Sequence, residues 1–396
     1  MNDKLANPVI SQLGHRLRLG VVGGGPGSTI GEVHRIAARL DDRYEIVASV
    51  LSSDPDRSRA AGSLLGIPSG RAYGTVDEML EREGKRNDGI EVMAVMTPNN
   101  GHYAACRAAL DHGLDVICDK PLATTHADAL DLVSRARAAG RVFCVTYNYS
   151  GYPLVRQARA MVAAGEIGEI RFVQLEYIQG HLATAVERTE SYKRWKFNPE
   201  QTGPSLVVGD IGVHAYQLGT FVTGIEPANL CADLGAIVSG READDYASVM
   251  FRYSNGARGN MLITQAAAGA EHGLKFRVHG EKGGLEWHQE QPNWLRFSPL
   301  GQPTQILTRR GPGLHPEANA GTRVSIGHPE GYHEAFANLY SEVAEAVVAR
   351  KAGRNVDELR LPFPTVEDGA RGTRFVDAVV ESGRGGSTWV DCGLEL

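Results

Sequence analysis

The first 150 residues alternate between two kinds of segment, and no other feature restricts the fold as much. Short apolar runs are RLRLGVVG (16–23), YEIVASVL (44–51), IEVMAVMTP (90–98), LDVICDKP (114–121) and RVFCVTYNY (141–149). Between them lie stretches with helical periodicity: GEVHRIAARL, DRSRAAGSLLG, VDEMLEREG, HYAACRAALDHG and ADALDLVSRARAAG. The central runs are apolar on both sides of the strand, as a parallel sheet covered by helices requires. Strand–helix alternation of this kind predicts a doubly wound α/β domain over residues 1–150.

After residue 150 the texture changes. A helix, YPLVRQARAMVAAG, precedes IRFVQLEYIQG, which alternates like a strand. A polar stretch and an apolar helix, DIGVHAYQLGTFVTG, follow. From 227 to 299 come long alternating runs with hairpin signals, one at Asn255-Gly256 and one at Gly283-Gly284. Helices near 330–350 and 365–382 close the chain. The expectation for 151–396 is an open antiparallel sheet with helices on one face.

The loop VVGGGPGSTIGEVH joins the first strand to the first helix. Gly23 and Gly25 fit the G-x-G-x-x-G fingerprint, but Ser28 takes its third position and Gly31 comes three residues late. Backbone N–H groups at a helix N-terminus attract a pyrophosphate, and glycines let the backbone come close. An insertion between the second and third glycines leaves this mechanism intact. Pro26, Gly27, Ser28, Thr29 and Ile30 are then the candidate phosphate-facing segment, with the Ser28 and Thr29 hydroxyls as added donors. At the end of the second strand an acidic residue would bind the ribose diol. Here Ser52 and Ser53 occupy that slot, and Arg57 stands in the following helix. The expected cofactor is NAD, with NADP left open.

Three stretches carry the chemistry: MTPNNGHY after the third apolar run, CDKPLATT after the next, and GPSLVVGDIGVHAYQL in the second half. Asp210 and His214 are spaced i, i+4, on one helical face. An imidazole suits the removal of a hydroxyl proton near neutrality. Lys120 falls at the C-terminal end of a parallel strand, where such sheets bind ligands, and its ammonium would stabilise an alkoxide. With WKFNP (195–199), the order and spacing of these segments resemble the Gfo/Idh/MocA family of nicotinamide-dependent sugar and cyclitol oxidoreductases, over nearly the whole chain. The resemblance implies an N-terminal Rossmann domain, Lys120 and His214 as the catalytic pair and Asp210 as a substrate contact. It implies Thr97, Pro98, Asn99, His102, Asp119 and Trp195 beside the cofactor. Asp119 departs from the commoner glutamate before the lysine. It also implies pairing through the open sheet into a homodimer or homotetramer.

Lys193, Arg194 and Lys196 put three cations in four residues near the expected sugar site, pointing to an anionic substrate. Tyr149 is a further substrate candidate; His181, Arg323 and His333 are weaker ones. Some relatives oxidise a glycoside transiently and release its aglycone with net hydrolysis, and the NAD-dependent sulfoquinovosidases among them would match an anion-binding cluster. That version leads the sequence reading, with a plain sugar or inositol dehydrogenase second and a non-catalytic nucleotide and sugar sensor third. The net charge of −6 argues against nucleic acid or a membrane surface as the main partner. Five scattered cysteines, without a C-x-x-C pair, read as thiols in a reducing cytoplasm, with no metal site expected.

Overall fold

A computed structural model describes residues 7–189 and 195–394. In chain order the elements are α1 (Pro8–Leu13), β1 (Leu17–Gly23), α2 (Thr29–Leu40), β2 (Tyr44–Val50), α3 (Pro55–Leu64), α4 (Val76–Glu83), β3 (Val92–Met96), α5 (His102–Asp111), β4 (Asp115–Cys118), α6 (His126–Ala139) and β5 (Phe143–Val145). Then come α7 (Pro153–Ala163), β6 (Ile170–Gln179), α8 (Val186–Thr189), α9 (Pro199–Thr202), α10 (Val213–Thr223), β7 (Pro227–Gly235), β8 (Tyr246–Tyr253), β9 (Arg258–Thr264), β10 (His272–Gly280), β11 (Gly283–His288), β12 (Trp294–Pro299), β13 (Gln305–Thr308), α11 (Pro316–Ala320), α12 (Tyr332–Lys351), α13 (Val366–Arg384) and β14 (Val390–Asp391). A π turn, Val208–Gly212, leads directly into α10. Among these helices none is long and apolar enough to cross a membrane.

The chain forms two compact units. The first runs to Ala123 and adds Ala127–Asn148 and Phe336–Gly369; the second holds Thr124–His126, Tyr149–Ala335 and Ala370 onward. A single cut at 150 therefore misses the return of 336–369, with most of α12, to the first unit. The α12 residues Phe336, Leu339, Tyr340, Val343 and Val347 are buried, and polar contacts add to the attachment. Tyr44 donates its hydroxyl to the Tyr340 carbonyl at 2.8 Å, Arg350 pairs with Asp115 at 2.7 Å, and Lys351 pairs with Glu91 at 2.8 Å.

In the first unit all five strands are parallel, in the order β2-β1-β3-β4-β5. The five apolar runs of the sequence are these five strands. β1 lies between its successor and β3, so the chain leaves its edges in opposite directions, and a crevice opens at the strands' C-terminal ends there. A lone parallel bridge from Ser49 to Ala72 marks a vestigial strand outside β2, a position where the sequence carried no strand signal.

The second unit holds a nine-stranded sheet, in the order β13-β12-β11-β10-β6-β9-β8-β7-β14. It is not antiparallel throughout: β6 and β9 run parallel. A parallel pair needs a crossover, and the helical segment between β6 and β7 supplies it. The Asn255-Gly256 hairpin is where the sequence places it, whereas the next turn falls on Glu281-Lys282, with Gly283 and Gly284 already in β11. Cross-strand register divides the sheet cleanly. One row, Ala232, Val249, Met261, Leu175, Phe276, Trp287 and Leu295, is wholly buried. The row on the other face runs Met250, Asn260, Gln174, Arg277, Glu286, Arg296 and Ile306, and both its ends are exposed. α7 and α10 pack on the buried face. Tyr216 of α10 stacks on Phe375 of α13 at 4.4 Å.

Candidate functional site

The glycine loop is a working strand-to-helix turn. Ser28 caps α2, its hydroxyl accepting from the Gly31 N–H at 3.2 Å, a cap worth about 1 kcal/mol. Gly23 and Gly24 have φ of +79° and +63°. A Cβ on Gly31 would lie 2.1 Å from the Gly24 carbonyl oxygen, so the loop folds back on the helix start only because Gly31 has no side chain. Gly31 thus does the packing work of the third fingerprint glycine. Gly25 is equally confined, a Cβ there falling 2.5 Å from the Leu51 carbonyl oxygen, whereas Gly27 faces open space. The inserted Pro26, Gly27 and Ser28 lengthen the loop without removing the helix N-terminus, where Thr29 and Ile30 carry first-turn N–H groups that the helix itself does not use.

Past β2, Ser52 accepts from the Asp54 N–H at 3.1 Å, and Asp54 caps α3 through the Arg57 N–H at 2.8 Å. Ser53 lies in the same turn. The Arg57 guanidinium is exposed, 4.0 Å from Asp54. These residues build the turn at the position where a ribose would be read.

At the end of β3, the buried Thr97 hydroxyl has no hydrogen-bond partner among the described residues, the kind of orphaned group that a ligand satisfies. Pro98 and Asn99 open the short turn that follows. His102 lies deeper than a cofactor contact would. Its fully buried ring lies between two carbonyl oxygens, that of Pro121 at 2.7 Å from Nδ1 and that of Thr97 at 2.9 Å from Nε2, and the neutral ring donates to one of them. Burial lowers its pKa, against the pull of Asp119 and the two carbonyls. Asp119 accepts from the Thr146 hydroxyl at 3.0 Å and stands 4.0 Å from His34 Nε2. Burial pushes the Asp119 carboxyl upward. The interaction with His34, too long for a hydrogen bond, and the charges of Lys120 and His102 outweigh burial and hold it well below the ordinary range. His34 in turn bonds the Tyr340 hydroxyl at 2.8 Å. Half-buried Lys120 follows, its peptide to Pro121 cis. The sheet order, the close glycine approach and the orphaned Thr97 hydroxyl all fit a dinucleotide.

In the second unit, Asp210 sits in the π turn and His214 in the first turn of α10. Such turns often mark functional sites because they re-aim side chains within a helix. Asp210 accepts from Lys196 Nζ at 3.0 Å and from Gln265 Nε2 at 2.8 Å. The Lys196 ammonium also stands 6.0 Å from the Trp195 ring centroid. Tyr149 meets the His214 ring edge-on, centroids 4.9 Å apart, and its hydroxyl lies 2.6 Å from the Tyr177 hydroxyl and 2.8 Å from His272 Nε2. Of the three cations behind the anionic-substrate expectation, Lys196 is paired with Asp210, and Lys193 and Arg194 lie outside the described residues. Among the weaker candidates, Arg323 donates to the Glu334 carbonyl at 3.1 Å. The sequence reading missed His34, the last residue of the glycine-loop stretch, and Tyr177, Gln179, Gln265 and His272, which stand in no motif. The described residues contain no cluster of three or more His, Cys, Asp or Glu able to hold a metal.

Residues 17–147 match the model of the oxidoreductase family with an NAD-binding Rossmann fold, and 155–286 match the GFO/IDH/MocA C-terminal domain. The chain is 36% identical to the uncharacterized oxidoreductase YfiI of Bacillus subtilis (strain 168), across 95% of this chain and 96% of that one. It superposes with a TM-score of 0.92 on the crystal structure of an inositol dehydrogenase homolog from Azotobacter vinelandii complexed with NAD+, at 39% identity over 95% of this chain and 97% of that chain. The same homolog complexed with NADH and myo-inositol gives 0.89, over 95% and 98% of the two chains. Levoglucosan dehydrogenase of Pseudarthrobacter phenanthrenivorans (strain DSM 18606 / JCM 16027 / LMG 23796 / Sphe3) is 26% identical over 71% of this chain and 76% of its own. The chain is a member of the Gfo/Idh/MocA oxidoreductase family, with an NAD-binding Rossmann domain at its N-terminal end.

Proposed function

We propose that this protein is an NAD-dependent dehydrogenase that oxidises a secondary alcohol of a cyclitol or a pyranose, with Lys120 and His214 acting at the carbinol. The observation that carries the reading is the 39% identity, along 95% of the chain, to a structure holding NADH and myo-inositol. Bound NAD supplies the hydride acceptor. His214 takes the hydroxyl proton as the carbonyl forms, which an imidazole does well near neutrality. The Lys120 ammonium stabilises negative charge on the carbinol oxygen. Asp210, held by Lys196 and Gln265, accepts hydrogen bonds from substrate hydroxyls. The loop from Gly23 to Ile30 cradles the pyrophosphate, and Thr97 Oγ1 bonds the cofactor.

The plain dehydrogenase stands ahead of the transient-oxidation glycosidase, because the charge of Lys196 is already committed to Asp210. The deciding experiment incubates the protein and NAD with myo-inositol and, separately, with sulfoquinovosyl glycerol. NADH formed in step with myo-inositol consumption supports the dehydrogenase. Aglycone release without net NADH would replace it with the hydrolytic reading. Two accompanying statements belong to the same proposal. Self-association into a dimer or tetramer uses the outer sheet face, where Met250, Trp294 and Ile306 are exposed. The working compartment is the reducing cytoplasm, which suits five buried free thiols.

A further inference from the structure

The Tyr149, Tyr177 and His272 cluster carries a count of hydrogens that does not close among the described residues. Register brings its members together: His272 of β10 faces Gln179 of β6, and Leu274, two residues on, faces Tyr177. Gln265 follows β9 on the other side of β6. The amide orientations follow from Asp210, which as a carboxylate beside Lys196 only accepts. Its partner at 2.8 Å is therefore the Gln265 amide nitrogen. That nitrogen faces the Gln179 carbonyl oxygen at 3.4 Å, which turns the Gln179 amide nitrogen toward His272 Nδ1 at 2.8 Å. Nδ1 is thus the acceptor, and the hydrogen of the neutral ring sits on Nε2. Burial, which lowers the pKa of His272 against Glu290 and Asp210, favours the neutral ring.

Nε2 lies 2.8 Å from the Tyr149 hydroxyl and 2.6 Å from the Tyr177 hydroxyl, and the two hydroxyls are 2.6 Å apart. With Nε2 protonated, it cannot accept from either phenol. One phenol uses its hydrogen on the other, and one phenolic hydrogen is left without an acceptor in the triangle. Both phenols are 2% exposed, and a buried donor of this kind calls for a partner. The Tyr149 ring stands 4.9 Å from His214, the Tyr177 ring 6.5 Å.

We propose that Tyr149 donates this uncommitted hydrogen to a substrate oxygen neighbouring the carbinol that His214 deprotonates, and that His272, Gln179 and Gln265 are positioning residues that keep the hydrogen available by holding His272 in its Nε2–H tautomer. The proposal rests on the dehydrogenase reading. It makes a second oxygen beside the carbinol a specificity requirement, since a site built to donate to an oxygen discriminates strongly against an analogue lacking it.

The test has two arms. Histidine-selective 15N labelling of the protein with bound NAD reads the His272 tautomer, assigned with His272→Gln. Nε2 protonated and Nδ1 bare at pH 7.5 is expected; a protonated Nδ1 overturns the proposal. The second arm measures kinetics with myo-inositol as the probe. Tyr149→Phe is expected to raise KM about tenfold or more with kcat much less affected. Tyr177→Phe is expected to leave KM within about threefold, because Nε2–H then donates to Tyr149 and the Tyr149 hydrogen stays available. Equal KM changes in the two variants, or none in Tyr149→Phe, overturn it. The tautomer reads on the network alone, so it decides the proposal even where a variant does not fold. It also does so where myo-inositol is not turned over, the result that counts against the dehydrogenase reading instead.

Discussion

The two units build their parts of the candidate site by opposite means. In the first, the frame is backbone: a loop between one strand and one helix, and turns at the ends of β3 and β4 that carry the Thr97 and Lys120 side chains. Each is complete within about ten residues of sequence, and its determinants are glycines, a capping serine and a proline. In the second, the parts are side chains from α10, the β6 and β10 strands, the segment after β9 and the turn before α7, joined by hydrogen bonds between residues far apart in the chain. A backbone site is specified locally, because φ preferences and capping act over a few residues. A side-chain network exists only once strand register is set, since a one-residue slip would turn every member to the other face.

The contrast can be broken or sharpened by substitution. Lys120→Ala carries the largest expected effect: a loss of turnover on the order of 10³-fold with NAD affinity within about threefold, read by steady-state kinetics and by titration of the bound nucleotide. Loss of binding from a parent without turnover would favour the sensor. Next is Gly31→Ala. Its methyl group would meet the Gly24 carbonyl oxygen, and overpacking of this kind costs about 1–3 kcal/mol. The expected result is NAD binding weakened by about 10- to 100-fold, with the tyrosine–histidine cluster of the other unit unchanged by NMR. Asp210→Asn should do the reverse. Removing a charged hydrogen-bond partner costs about 1.5–3 kcal/mol, so polyol KM rises about tenfold or more while NAD binding holds.

The smallest effect is a pH dependence of stability. The folded pKa of His102 lies below the ordinary 6.5 because the ring is buried. Its contribution is therefore complete above pH 6.5 and is lost as the pH falls from there through the folded value, since the unfolded chain takes up the proton first. Unfolding free energy measured by urea titration should fall by at most about 1.4 kcal/mol per pH unit from this group. The slope should flatten in His102→Gln.

Legibility in the sequence followed the same division. All five parallel strands, the loop at Gly23–Ile30 and the positions of Lys120, Asp210 and His214 were readable from apolar runs and short motifs. The bridge at Ala72 was not, because one bridging residue leaves no periodic signal. The Gly283-Gly284 turn was read two residues late, since paired glycines mark a turn from sequence although here they begin the returning strand. His102 illustrates a different limit. A histidine after T-P-N-x-x reads as a ligand contact, yet its buried ring lies between the Thr97 and Pro121 carbonyl oxygens. Only the tertiary arrangement of two strand ends reveals that.

By itself, the order of residues determined the alternating α/β domain, the strand–loop–helix that receives a dinucleotide, and which lysine and histidine stand in chemically suitable motifs. These follow from short-range sterics and from the burial pattern of single segments. Tertiary structure alone decided that α12 returns to the first unit, that Asp210 faces Lys196 and Gln265, and that His272 closes a triangle with two phenols. Each of those contacts joins residues whose meeting depends on the pairing of distant strands and helices, and no local preference encodes it.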